Sequence, residues 1–188
     1  MSPFTKISVF SIAFATLNSI SVIANAASLD ADLNNDTLKA KYNFSHKKAD
    51  LGISAGAMLT DDNGEVYSFD LKTQGQLKNT PDANIRGGFG VRAYHASPKP
   101  GDSFQSLGLG GFVELALPNL TLGAELYYAP SVTTSNDIDA VWDIAFRVSY
   151  QLFENAAAYV GLRDFEVDVN DQDFNFDEGP HIGFSLQF

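Results

Sequence analysis

The stretch that decides the fold is PHIGFSLQF, which occupies residues 180–188. Apolar residues stand at every second position of this stretch, from Pro180 to Phe188, and small or polar residues lie between them. An alternation with a period of two indicates a β-strand with one apolar and one polar face. Because terminal residues of a soluble protein usually fray into water, an apolar face that continues to Phe188 favours a strand embedded in a membrane.

Residues 1–26 differ in composition from the rest of the chain. Lys6 provides a positive charge, residues 7–23 are uncharged and mostly apolar or hydroxylic, and Ala24-Asn25-Ala26 is a small-x-small cleavage site. These features predict a secretory signal peptide over residues 1–26 and a mature chain over residues 27–188. A transmembrane anchor is the alternative, which the many hydroxylic residues of the segment disfavour.

The composition of the mature chain limits its class. The sequence has 12 basic and 23 acidic residues, and one basic residue is Lys6, so residues 27–188 carry a net charge of −12. This charge argues against nucleic acid as a partner. The absence of cysteine rules out disulfides. No stretch after residue 26 approaches the ~20 apolar residues of a membrane helix, so the mature chain is either a soluble periplasmic protein or a closed membrane barrel.

Alternation with a period of two continues along the whole mature chain, with no helical period. We predict an all-β fold, a single antiparallel transmembrane barrel of eight to ten strands, with ten preferred. In the eight-stranded alternative, residues 28–45 lie outside the wall. The predicted strands are residues 28–33, 37–45, 51–59, 66–77, 84–95, 104–117, 120–129, 141–152, 156–165 and 180–188.

The polar faces of the strands distinguish a membrane barrel from a lipocalin-like soluble one. They are rich in glycine and carry isolated charges of both signs, whereas a face in contact with water would hold many Lys and Glu. We therefore expect a polar, glycine-rich lumen in which opposite charges pair across a narrow space, with Glu114 and Glu125 held by Arg92, Arg147 or Arg163. The predicted lumen charges are Arg86, Arg92, Glu114, Glu125, Asp143, Arg147 and Arg163.

Aromatic residues concentrate at the ends of the apolar faces. If the first strand of the mature chain runs outward, Tyr67, Phe69, Tyr128 and Trp142 lie at the outer rim. Two aromatic girdles around an aliphatic band are typical of a protein that crosses two lipid interfaces. The periplasmic girdle would consist of Tyr42, Phe44, Tyr150 and Phe188.

Several segments resemble known barrel proteins of Gram-negative bacteria. The terminal strand resembles the closing strand that the outer-membrane assembly machinery reads. ELYYAPS at 125–131, GLR at 161–163 and EGPHIGFSLQF at 178–188 resemble the YfaZ family of outer-membrane proteins. The resemblance implies a small outer-membrane barrel, exported through its signal peptide, with outer-membrane lipid, lipopolysaccharide and the assembly machinery as partners. It implies no catalytic residues, and we expect a monomer without a cofactor.

Two further motifs suggest chemistry. His95 and Ser97 form a His-x-Ser pattern similar to that of lipid A deacylases, which would support acyl transfer if an acidic partner were near. The acidic run over residues 166–179, which we predict to be the last outer loop, offers oxygen ligands for a divalent cation. Its candidate ligands are Asp171, Asp173 and Asp177, but the run lacks the glycine of an EF-hand loop, and a solvated acidic loop is the expected structure.

These observations leave three functions open. The first is a non-enzymatic barrel with a structural or envelope-interaction role, whose lumen is plugged by paired charges. The second is a narrow channel for small polar solutes or ions. The third is a hydrolase that modifies lipid A.

Overall fold

A computed structural model describes residues 27–45, 50–169 and 172–188. The predicted signal peptide, residues 1–26, lies outside the described residues. Apart from a short 3₁₀ helix at Ser131–Thr133, the regular structure is β-strand, and no helix in the described part of the chain is long and apolar enough to span a membrane. The strands are β1 (Ala27–Leu33), β2 (Thr37–Ser45), β3 (Leu51–Thr60), β4 (Gly64–Thr73), β5 (Gly75–Asn79), β6 (Asn84–Pro98), β7 (Phe104–Ala116), β8 (Leu120–Pro130), β9 (Ile138–Phe153), β10 (Ala156–Val169) and β11 (Gln172–Gln187).

The strands form a closed antiparallel barrel. The barrel closes where β1 pairs with β11. β4 and β5 both pair with β6, each with a different part of it, so they count as one strand of the wall. The barrel therefore has ten strands, which confirms the preferred prediction and excludes the eight-stranded alternative. The two ends of the barrel chain meet at this seam, where the backbone N–H of Phe188 donates to the carbonyl of Ala27 at 2.8 Å.

The acidic run over residues 166–179 is not a loop, and this corrects the prediction. β10 and β11 extend through it as a hairpin, with Val167 opposite Phe174. Burial of apolar side chains explains this extension. Phe165, Val167 and Phe176, each next to an acidic residue in the sequence, are buried inside the barrel. A β-bulge between Phe165 and Glu166 adjusts the register of the hairpin.

The outer surface is apolar, as strand parity predicts, whereas the inner surface carries the buried charges together with an apolar cluster. Phe89, Val160, Ile182 and Phe184 each expose more than half of their accessible surface on the outside of the wall. A soluble barrel would bury these side chains, whereas a bilayer solvates them. Among the predicted interface residues, Tyr67 and Tyr150 are exposed and the rings of Tyr128 and Trp142 stack with centroids 4.4 Å apart. Phe188 is exposed at the periplasmic rim, where Tyr42 packs edge-on against Phe44.

Two glycines on the inner face leave room for rings that lie flat on the wall. A Cβ at Gly183 would come within 2.4 Å of Cζ of Tyr159, and a Cβ at Gly161 within 2.7 Å of the His181 ring. Real Cβ atoms do not approach so closely, because the neighbours would have to move. Glycine at these two positions therefore keeps both rings against the wall and the periplasmic half of the lumen open.

Candidate functional site

The outer half of the lumen is filled by an apolar cluster, which we call the outer plug. Its aromatic rings pack edge to face, with centroids 5.4 Å apart for Tyr94 and Phe165 and 5.6 Å apart for Phe165 and Phe176. Packing of this kind excludes water. The outer plug consists of Met58, Val66, Tyr94, Ala96, Phe104, Tyr127, Ala129, Ile138, Val141, Phe165, Val167 and Phe176.

A network of ion pairs centred on Arg92 lies inside the barrel next to this cluster. The guanidinium is 2% exposed and donates to three carboxylates: Asp70, Glu125, and Asp143 at 2.5 Å. Its plane stacks 3.9 Å from the centroid of the Tyr127 ring. Tyr94 links this network to the outer plug, since its hydroxyl donates to Asp143 at 3.0 Å.

Two lysines complete the Arg92 network and balance its charge. Lys41 lies 3.1 Å from Asp70 and 3.6 Å from Glu125, and Lys72 lies 3.7 Å from Glu125. Three cations thus face three carboxylates. Guanidinium suits the central position because it remains charged and donates in several directions at once.

A second network surrounds Arg163 on the opposite part of the wall. Arg163 donates to Asp177 and, through Nη1, to Asp32 at 2.7 Å. The hydroxyl of Tyr159 donates to the other oxygen of Asp32 at 3.0 Å, and Asn34 donates to Asp177 from the outer turn. Both carboxylates are buried, so this network ties strands β1, β10 and β11 together inside the barrel.

The periplasmic half of the lumen is a polar cavity of about 600 Å³, which we call the vestibule. Its lining includes Arg147, which lies 3.3 Å from Asp30, and the pair of Arg86 and Glu114, which are 2.6 Å apart. The Arg86 side chain is 55% exposed, so this pair lies in water. The vestibule ends blindly where the two buried networks and the outer plug begin.

All seven predicted charges are on the inner face, but several of their partners differ from those expected. Glu125 pairs with Arg92, one of the three arginines proposed for it, whereas Glu114 pairs with Arg86 instead. Arg147 binds Asp30 rather than either glutamate. Seven further charges lie in the lumen beyond those predicted, although their positions between apolar neighbours in the sequence indicate them: Asp30, Asp32, Lys39, Lys41, Asp70, Lys72 and Asp177.

The candidate cation ligands do not come together as predicted. Asp177 is buried and bound to Arg163, because it has the same inward strand parity as His181, and Asp171 lies outside the described residues. Asp173 instead groups with Glu166 and Asp168, whose ligand atoms all lie within 4.8 Å of one another. Glu166 is level with Trp142 of the aromatic rim, so the group lies outside the hydrocarbon. Burial, with added repulsion from Asp173, raises the pKa of both Glu166 and Asp168.

The His-x-Ser motif does not form a catalytic arrangement in the described part of the chain. His95 is exposed on the outside of the wall, while the Ser97 hydroxyl is 3.0 Å from the hydroxyl of Ser103. No hydrogen bond joins His95 to a carboxylate among the described residues. The arrangement lacks the base and orienting acid that activate a serine.

Comparison with known proteins identifies the family and supports the fold. A family model described as YfaZ precursor matches residues 4–188, and the word precursor agrees with the predicted signal peptide. No curated protein sequence matches the chain.

Solved structures with a similar fold come from bacterial outer membranes. The outer-membrane protease OmpT from Escherichia coli is 13% identical, with a TM-score of 0.50 over 87% of this chain and 93% of that chain. A KdgM porin is 16% identical, with a TM-score of 0.43 over 87% of this chain and 99% of that one. At 13% identity, the likeness to OmpT shows the fold alone. The family match, this fold and the apolar outer surface together locate the chain in the bacterial outer membrane.

Proposed function

The chain belongs to the YfaZ family of outer-membrane β-barrel proteins, and we propose that it is a non-enzymatic, non-conducting barrel with a structural or envelope-interaction role. Its partners are then outer-membrane lipid and lipopolysaccharide around a monomeric wall, and the assembly machinery that reads β11. The proposal depends mainly on one observation: the outer plug fills the lumen above the two buried ion-pair networks. A solute that entered the vestibule would have to displace both layers in order to cross.

The second candidate is a narrow channel, and the vestibule is the observation that favours it. The cavity reaches from the periplasm to the middle of the lumen, so only the outer half separates it from the outside. Conduction would require the aromatic rings to swing out. Hydrolysis of lipid A has less support, because no acid within the described residues orients His95 or Ser97.

Conductance in planar bilayers tests the proposal. We expect no stepwise current from the wild-type protein, and small steps from a variant with both Phe104→Ala and Phe176→Ala, which removes two large rings from the plug. Phe184→Ala is the matched control, since this ring faces lipid and is 62% exposed. Regular current steps from the wild type would favour the channel instead. Loss of a measured lipid A deacylation in Ser97→Ala would favour the hydrolase.

A further inference from the structure

At the blind end of the vestibule, several polar nitrogens have no hydrogen-bond partner among the described residues. Lys39 lines the cavity, and among the described residues no hydrogen-bond or ion-pair partner is found for its ammonium. Arg163 and His181 line the same end of the cavity, and Nη2 of Arg163 and Nδ1 of His181 are buried without a hydrogen-bond partner. Lysine and arginine have only donors, so what this region lacks is an acceptor.

The position of Lys39 explains why its charge remains unpaired. Its backbone pairs with Asp32 on one side and with Met58 of the outer plug on the other. No ion pair joins Lys39 to Asp32, whose two carboxylate oxygens accept from Arg163 and Tyr159 instead. The ammonium therefore lies at the boundary between the apolar plug and the open vestibule.

An ammonium in this position requires acceptors, because inside a barrel it has lost much of its hydration. The Arg92 network is balanced, with three cations facing three carboxylates, whereas Arg163 faces the two carboxylates of Asp32 and Asp177. Lys39 therefore balances the charge of the Arg163 network without a hydrogen bond or an ion pair to either of its acids. An oxyanion that enters from the periplasm would supply the acceptors that Lys39, Arg163 and His181 lack.

We propose that Lys39, Arg163 and His181 form a binding site for a small oxyanion, a carboxylate or phosphate group of a periplasmic solute, at the blind end of the vestibule. Arg163 and His181 turn their free nitrogens toward the bound group after a small rearrangement, and Lys39 provides the main charge. The volume of about 600 Å³ lies in the range of small-molecule sites. Arg147 and Arg86 line the path toward the mouth, where they would attract an anion. This proposed site does not depend on whether the barrel conducts ions or solutes.

Protection of Lys39 from an amine-reactive reagent tests this site in the folded wild-type protein in detergent micelles. We expect millimolar inorganic phosphate or acetate to slow labelling of Lys39 about tenfold, as read by mass spectrometry, with sodium chloride of equal ionic strength giving little protection. Lys78 is exposed on β5 and serves as the internal control in the same digest. Whether phosphate or acetate protects better distinguishes the two kinds of oxyanion.

Two results would overturn the proposal. Labelling of Lys39 that is independent of the added anion would show a lysine that is merely buried and hydrated. Equal protection of Lys39 and Lys78 would show general screening. As a second measurement, equilibrium dialysis with radiolabelled phosphate should give at least a tenfold loss of binding in Lys39→Gln and none in Lys78→Gln. Retained binding in a folded Lys39→Gln protein, judged by gel mobility without boiling, would also contradict the site.

Discussion

The outer and the periplasmic halves of the lumen differ in the side chains that line them. In the outer half, aromatic and aliphatic side chains from facing strands pack into one apolar cluster. In the periplasmic half, glycines and charged side chains surround an open cavity. The same alternation along the strands produces both, since only the identity of the inward residue changes with depth. On the proposed function, the outer half of the lumen closes the barrel, and variants can test each half separately.

The largest effect should come from the Arg92 network, which separates the two halves. Arg92→Gln leaves Asp70, Glu125 and Asp143 without their shared partner, and loss of one member of a buried pair costs about 3–5 kcal/mol. Urea unfolding in detergent, followed by the fluorescence of Trp142, measures the change. Arg86→Gln is the control in the vestibule, where its pair with Glu114 is largely in water and is worth less than about 1 kcal/mol. Equal losses in the two variants would contradict the difference between the halves.

Truncation inside the outer plug should have an effect of similar size or slightly smaller. Phe176→Ala creates a cavity among tightly packed rings, and such changes cost about 3–5 kcal/mol. Phe184→Ala, on the lipid face of the same strand, should cost much less. If both variants unfold at the same urea concentration, the outer half is not packed as the structure indicates.

A double-mutant cycle can sharpen the assignment of partners within the lumen. Arg92→Gln and Glu125→Gln should be coupled by about 0.5–3 kcal/mol, as residues in contact usually are. Arg147→Gln and Glu125→Gln should add to within about 0.5 kcal/mol, since Arg147 pairs with Asp30. Stronger coupling in the second cycle than in the first would restore the pairing first expected from the sequence.

The vestibule should tolerate polar changes better than loss of its glycines. Gly183→Ala places a Cβ against Tyr159, and overpacking of this kind costs about 1–3 kcal/mol. The combined change Gly183→Ala with Tyr159→Phe removes the hydroxyl contact but keeps most of the clash, so it should not recover stability. A fully stable Gly183→Ala protein would show that the Tyr159 ring is free to move away.

The smallest effect should be local and pH-dependent, in the outer hairpin of β10 and β11. Burial and repulsion from Asp173 raise the pKa of Glu166 and Asp168, so the folded hairpin binds protons more readily than the unfolded one. Its stability should therefore decrease as pH rises through the range just above the usual carboxyl pKa. Hydrogen exchange, corrected for intrinsic rates, should show more protection of this hairpin at pH ~4.5 than at pH ~7. Asp168→Asn should reduce the difference, and an unchanged difference would contradict the assignment.

The sequence predicts the wall of this barrel better than its interior. Alternation places every side chain inside or outside, so the ten strands and the apolar belt follow from local patterns. Ion-pair partners depend on strand tilt and register, which no local pattern contains, and Glu114 therefore pairs with Arg86 rather than with a more distant arginine. The bulge opposite Phe165 and Glu166 places both Phe174 and Phe176 inside the barrel, and no local pattern in the sequence indicates it.

The outer plug did have a signal in the sequence. Tyr94, Phe104, Tyr127 and Phe165 lie on the polar faces of their strands, where a water-filled lumen would not favour aromatic rings. Their positions toward the outer ends of those strands indicate an apolar layer there. The prediction of a lumen filled by paired charges did not include this apolar layer.

The seam between β1 and β11 has a consequence for the order of assembly. Most wall contacts join strands that are neighbours in sequence, so they can form as hairpins soon after synthesis. The contact of Ala27 with Phe188 instead joins positions at opposite ends of the barrel chain and must wait for the last strand. Until then the sheet has two unpaired edges, each able to capture another strand. The risk of misassembly therefore depends on how long the sheet remains unclosed, rather than on the strength of any single contact.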